Sequence, residues 1–221
     1  MFNERVANTL LVVAALAMAS VVVARELGGG DPPPPEPPPS EYQADWATFT
    51  DAGLEIGTPG AAAVLLIFND FECGGCKLFH DRLIGRLQEQ GDLSIRLLHK
   101  PLRGHRFAVI AARAAECADK QGKGRELVHG LFARQDSLGL KSWQTFGSEA
   151  VLPDVPSFVD CVTGSEELPR IAAGLELADR LRVTGTPTLM INGWLLRGIP
   201  SEAQFLAAIE AVKAGKAPMA N

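Results

Sequence analysis

Ala63-Val64-Leu65-Leu66-Ile67-Phe68, then Cys73-Gly74-Gly75-Cys76, then Phe79, Leu83 and Leu87: this stretch decides the fold. The first run is apolar without alternation, as in a strand covered on both faces, and the residues after the cysteines recur at helical spacing. A strand-to-helix junction leaves the first backbone N–H groups of the helix unpaired and puts the positive end of its dipole there, so a thiolate is favoured at Cys73. Cys76 shares a face with Phe79, Leu83 and Leu87 at i+3, i+7 and i+11, which makes it the shielded partner. The pair reads as a redox dithiol in which Cys73 attacks and Cys76 resolves a mixed disulfide.

A lone C-x-x-C has two other readings. One is half a zinc site, with Cys73, Cys76 and His80 as three ligands, but a structural site needs a fourth and the chain has no second C-x-x-C to complete it. The other is a purely structural disulfide. We expect no metal, and His80 as a solvated helix residue.

The rest of the chain is built around this unit. Leu93, Ile95 and Leu97 alternate with Ser94 and Arg96 and stop before Pro101, which gives a second strand and a βαβ unit. From Gly104 to about Arg182 the pattern is helical: Phe107, Ile110, Ala111, Ala114, Cys117 and Ala118 lie on one face, and Leu168, Ile171, Ala172, Leu175 and Ala178 on another. A helical subdomain is therefore inserted over about 104–182. Asn192-Gly193 between Thr188–Ile191 and Trp194–Leu196 signals a two-residue hairpin. Ser201 with Gln204 forms a capping box for a last helix whose apolar face is Phe205, Ala208, Ile209 and Val212.

Upstream, Val6 to Ala24 is a run of 19 residues without a charge. As a helix it spans about 28 Å and crosses a bilayer. Ala17-Met18-Ala19 before Ser20 resembles a small-residue cleavage site, so a signal peptide competes, but the apolar run continues past it and suits an anchor over 1–27. Residues 28–40 combine three glycines with Pro32–Pro35 and Pro37–Pro39, a composition that buries no core and reads as a semi-rigid spacer. Residues 41–221 suffice for one domain. The net charge of −5, with no Lys/Arg cluster, gives no electrostatic footprint for nucleic acid.

Four segments together carry a family resemblance: Phe68-Asn-Asp-Phe-Glu-Cys-Gly-Gly-Cys76, Lys100-Pro-Leu-Arg-Gly-His105, Ala111-Ala-Arg-Ala-Ala-Glu-Cys-Ala118 and Val183-Thr-Gly-Thr-Pro-Thr-Leu-Met-Ile-Asn-Gly193. From about Gly53 to Lys213 the chain resembles DsbA-like thiol–disulfide oxidoreductases of the thioredoxin superfamily. The resemblance implies an α/β thioredoxin fold with a helical insertion, here preceded by a transmembrane helix. It implies that Pro187 follows a cis bond facing the dithiol, with Thr186 offering its backbone to a substrate strand. Three positions depart from the family pattern. Gly74 and Gly75 replace the usual proline and the aromatic or histidine, so backbone amides and the helix terminus must stabilise Cys73 without side-chain help. Ile67 stands where many relatives place a buried carboxylate that takes the proton of the resolving thiol.

Cys117 and Cys161 each lie on an apolar helical face. Buried free thiols are one reading; export into an oxidising compartment argues for a bond, and some exported relatives join the equivalent cysteines. His99, His105 and His129 read as packing or surface residues, and Trp194 as hairpin packing. The resulting expectation is a membrane-tethered, extracytoplasmic thiol–disulfide oxidoreductase, more an oxidase than a reductase or isomerase, with no dissociable cofactor. It would act on exported cysteine-containing proteins and be recycled by a membrane redox partner. A copper-handling tether and a redox-inactive thioredoxin-like binding module are the alternatives.

Overall fold

In a computed structural model, residues 41–218 are described apart from 86, 88–92 and 197–199. The segments assigned to an anchor at 6–24 and a linker at 28–40 lie outside them. Among the described residues, no helix is long and apolar enough to cross a membrane.

Six strands form one sheet: β1 (Glu41–Tyr42), β2 (Leu54–Glu55), β3 (Ala63–Asn69), β4 (Leu93–His99), β5 (Thr188–Ile191) and β6 (Trp194–Leu196), in the order β1-β6-β5-β3-β4-β2. The apolar run Ala63–Phe68 lies in the centre, parallel to β4 and antiparallel to β5. Both its faces are covered, as its lack of alternation requires. Leu65 and Ile67 pack on the side of the cysteine-bearing helix, and Leu66 and Phe68 pack on the other against Phe49, Leu177 and Leu181. Alternate residues thus serve two cores.

Helix α1 (Gly74–Phe79) follows β3 and continues as a π-helical turn over His80–Ile84. Between β4 and β5 stand α2 (Ala108–Asp119), α3 (Gly124–Ala133), α4 (Trp143–Glu149), α5 (Val155–Thr163) and α6 (Pro169–Arg180). These are the expected helical insertion. The hairpin turn is at Asn192 (φ 42°) and Gly193 (φ 90°), the paired positive angles that Asn-Gly tolerates. The Asn192 side chain also accepts the Val64 N–H at 2.7 Å, which ties the hairpin to the central strand. Trp194 lies 4.9 Å from the Tyr42 ring across the β1–β6 pair. The last helix, α7 (Glu202–Lys213), begins with the full Ser201/Gln204 capping box and buries Phe205, Ala208, Ile209 and Val212. Sequence reasoning did not find β1, β2 or the 3-10 turn Trp46–Ala52, because two-residue strands carry no periodicity.

Cys117 and Cys161 form a disulfide joining α2 to α5, with Cα atoms 5.9 Å apart. Arg113, one turn before Cys117, donates to the carbonyls of Cys161, Val162, Gly164 and Glu166 and so caps the carbonyl end of α5.

Candidate active site

The dithiol lies where the central strand delivers its chain to α1. Cys73 is the N-cap residue of α1, its backbone extended (φ −73°, ψ 118°) and its carbonyl accepting the Lys77 N–H at 3.1 Å. Its thiol is partly exposed, whereas Cys76 is only 3% exposed and packs in the core with Phe79 and Leu83. The Thr186–Pro187 bond is cis, and the Thr186 carbonyl lies 3.1 Å from Cys73 Sγ, within reach of the thiol as donor. The turn before β5 is thereby set directly against the Cys73 sulfur.

The two sulfurs are opposite in acidity. Cys73 is lowered from 9.0 to about 5, first by a hydrogen bond from the Cys76 thiol, with partial burial opposing and Thr186 and the N–H groups of Cys76 and Gly75 adding to it. The Thr186 hydroxyl is buried and otherwise unpartnered. Burial, and then the neighbouring Cys73, push the Cys76 thiol far up. The expectation that backbone amides and the helix terminus act alone is therefore corrected: a side-chain donor, Cys76 itself, contributes most. A thiol held protonated beside a thiolate is the donor that a sequence reading of Gly-Gly overlooks.

The loop carrying Cys73 is clamped from two sides. Asp70, whose side chain is fully buried, accepts from the Glu72 N–H (2.8 Å), the Leu102 N–H (2.7 Å) and His105 Nδ1 (2.7 Å). Glu72 accepts the Phe107 N–H at 2.5 Å. From the helical insertion, Gln135 Nε2 donates to the carbonyls of Phe71 at 2.7 Å and Cys73 at 3.1 Å. None of these residues was singled out from sequence for the site, since separations of 32 to 64 residues leave no periodic trace.

His80 is corrected. Its side chain is only 11% exposed, stacks on Phe132 at 4.5 Å, and bonds His129 Nδ1 through Nε2 at 2.8 Å. Burial, and then His129, lower it to about 4, so it is neutral at physiological pH. Its Nδ1 lies 3.3 Å from Asp81 Oδ1, so both ring nitrogens are engaged away from the dithiol. The spacing held the signal: His80 is i+4 from Cys76, on the buried face. Among the described residues, no group of three or more His, Cys, Asp or Glu is placed to hold a metal ion. His99 is a packing residue, fully buried and bonded to Glu116 at 2.7 Å. Ile67 is 2% exposed in the core, with no carboxylate at that position.

The family model described as Thioredoxin matches residues 50–211. The chain belongs to the thioredoxin family. Solved structures place it with its DsbA-like members: Pseudomonas aeruginosa DsbA2 is 26% identical, with a TM-score of 0.55 over 72% of this chain and 92% of that one. Oxidised BdbD from Bacillus subtilis, at 15% identity, shares the fold with a TM-score of 0.67 over 81% of this chain and 99% of that one. A protein named Na(+)/H(+) antiporter NhaA 1 from Mycolicibacterium gilvum (strain PYR-GCK) is 36% identical over 165 residues, 70% of this chain and 26% of that protein. The chain thus spans about a quarter of the length of the curated relatives it matches. In this thioredoxin-family chain the structure brings together Cys73, Cys76, Thr186 and Pro187, with Gly74 and Gly75 as the first helical residues. It sets Cys117 and Cys161 apart in their own bond.

Proposed function

We propose that this chain is an extracytoplasmic thiol–disulfide oxidoreductase, tethered to a membrane through residues 6–24 and held off it by the spacer 28–40, and that it forms disulfides in exported cysteine-containing proteins. The observation that carries the reading is the asymmetric dithiol. Cys73 is partly exposed and acidic, Cys76 is buried and strongly basic, and the Thr186 carbonyl stands 3.1 Å from the first sulfur. A substrate thiolate attacks Cys73 Sγ of the disulfide, and the S–S bond breaks with its electron pair on Cys76, which takes up a proton. A second substrate thiolate then displaces Cys73 as a thiolate, leaving the substrate oxidised and the dithiol reduced. Thr186 and Pro187 present backbone to the substrate strand at the mixed disulfide. A cleft of about 390 Å³ lined by Glu72, Lys77, Ala133, Gln135 and Asp136 adjoins the Cys73 loop.

The oxidising direction is supported by the lowered pKa of Cys73, because a stabilised thiolate stabilises the reduced form and raises the potential of the couple. The cysteines carry the electrons themselves, so no dissociable cofactor is required, and a membrane redox partner would re-oxidise them. The test is a pair of variants. Cys73→Ser should abolish dithiol oxidation, and Cys76→Ser should accumulate mixed disulfides visible as reducible adducts. Activity retained in both would refute the assignment. A phosphatase reporter fused after residue 221 should be active outside the cytoplasm, and the chain should resist a carbonate wash; release with a new N-terminus at Ser20 would replace the anchor by a signal peptide.

A further inference from the structure

The segment Leu102–Phe107 is fastened along the active-site loop at three points. Asp70 Oδ2 accepts the Leu102 N–H and His105 Nδ1, each at 2.7 Å, and Glu72 Oε2 accepts the Phe107 N–H at 2.5 Å. The same loop is fixed to Cys73 at its other end, since the Asp70 carbonyl accepts the Cys73 N–H at 3.1 Å. His105 is therefore bonded to the loop that leads into Cys73, at Asp70. Its side chain is 32% exposed while that of Asp70 is 0% exposed. Among the described residues His105 is the titratable donor to Asp70, whose other two donors are neutral amides.

This arrangement has an electrostatic consequence. A carboxylate buried three residues before Cys73 disfavours a thiolate there, and the nearby Glu72 adds to that. We infer that His105 is a positioning residue for the redox centre: as an imidazolium on Asp70 it cancels the carboxylate behind Cys73, so that the thiolate forms beside a neutral pair. The inference rests on Cys73 and Cys76 being the reacting dithiol. The charged groups that act on the imidazole are Asp70, Glu72 and Cys73 on the active-site loop; on its own segment, Arg106 is turned onto the Phe107 ring. His105 is raised above its ordinary value, first by the Asp70 hydrogen bond, against partial burial, with the charges of Asp70, Glu72 and Cys73 contributing. Coupling free energies are reciprocal, so if the Cys73 thiolate favours the imidazolium, the imidazolium favours the thiolate by the same amount. In the window where Cys73 is ionised and Cys76 is not, reduction consumes two electrons and one proton. Anything that stabilises the thiolate therefore shifts the equilibrium between the protein disulfide with two glutathione thiols and the protein dithiol with glutathione disulfide.

The experiment uses the full-length chain. Imidazole NMR titration should show His105 with a higher pKa in the dithiol form than in the disulfide form, by about half to one unit, with no comparable change at His80 or His129. His105→Asn keeps a donor for Asp70 but no charge. It should raise the Cys73 pKa, followed by thiolate ultraviolet absorbance, by the same half to one unit, and shift the glutathione equilibrium about three- to tenfold toward the disulfide, roughly 15–30 mV. His105→Lys, which restores a cation, should recover most of that shift. An identical His105 titration in both redox forms, or an unchanged Cys73 pKa in a folded His105→Asn chain, would show that His105 only holds the loop. The thiolate titration requires no exchange activity. Failure to equilibrate with glutathione would thus count against the oxidoreductase reading, and an unmoved thiolate against the role of His105.

Discussion

The acidity of Cys73 makes the stability of the protein depend on redox state and pH together. A thiol whose folded pKa is about 5, against 9.0 when unfolded, stabilises the reduced protein wherever the native thiolate is ionised and the unfolded thiol is not. The folded pKa is depressed, so the contribution is complete above the unfolded value, shrinks as pH falls, and vanishes below about 5. At pH 7, about two pH units above the folded value, the part of this contribution already present is about 2.7 kcal/mol. Cys73 is partly exposed, and solvent screening reduces this to about 1–2 kcal/mol. The oxidised form has no such term because its sulfurs do not titrate. Protonation of buried His80, which destabilises both forms in acid, cancels in the difference. The burial of Cys76 acts with the opposite sign only near pH 9, where unfolded thiols ionise. The assay is urea unfolding of reduced and oxidised chain from about pH 5 to about pH 8, with the Cys117–Cys161 bond kept intact and checked by mass after alkylation. The gap between reduced and oxidised stability should widen in favour of the reduced form as pH rises, by no more than about 1.4 kcal/mol per unit. A flat gap, or one that widens on acidification, would refute the thiolate.

Three further outcomes are expected. Replacing Cys117 and Cys161 together by alanine opens a loop of 44 residues, worth about 4 kcal/mol in the chain-entropy account, and should lower Tm by roughly 8–16 °C for a domain of this size while leaving the Cys73–Cys76 potential in place. A calorimetric drop below about 2 °C would deny the bond a structural role. Gly74→Ala puts a Cβ where nothing lies within 4 Å, in the first turn of α1, and should stabilise the chain by about 0.5–1 kcal/mol in urea unfolding; a loss of stability would contradict the open space. Gln135→Ala removes both donors to the Phe71 and Cys73 carbonyls and should cost about 1–2 kcal/mol while speeding amide exchange in the active-site loop. Unaltered exchange there would mean the loop does not need its brace.

What the sequence disclosed, and what it withheld, follows from the range of the interactions. The β3 run, the dithiol at the helix start, the Asn192-Gly193 turn and the Ser201/Gln204 box are local, and each is present as read. So is the helical insertion, whose 3.6-residue spacing needs only one covered face. His80 departs from its reading as a solvated helix residue: i+4 from Cys76, it faces Phe132 and His129. The clamps on residues 70–73 come from positions 102, 105, 107 and 135, joined to the dithiol by tertiary structure alone.

The same contrast explains how a dithiol without the family's side-chain helpers can still hold a thiolate. Ile67 removes the carboxylate from beneath Cys76, which leaves the resolving thiol in an apolar environment with its proton held tightly. That proton is also the strongest donor to Cys73. An acid at position 67 would compete for it and would place a second negative charge in the centre, where burial makes charge costly. The buried carboxylate that the site does have, Asp70, is on the loop side and is bonded by His105 and two backbone amides. Glycines at 74 and 75 add no side chain that would bond to the sulfur in place of Cys76, so the acidity of the attacking cysteine is set mainly by its own partner. The two glycines and the isoleucine, each a departure from the family pattern when taken singly, together describe one consistent arrangement of charge.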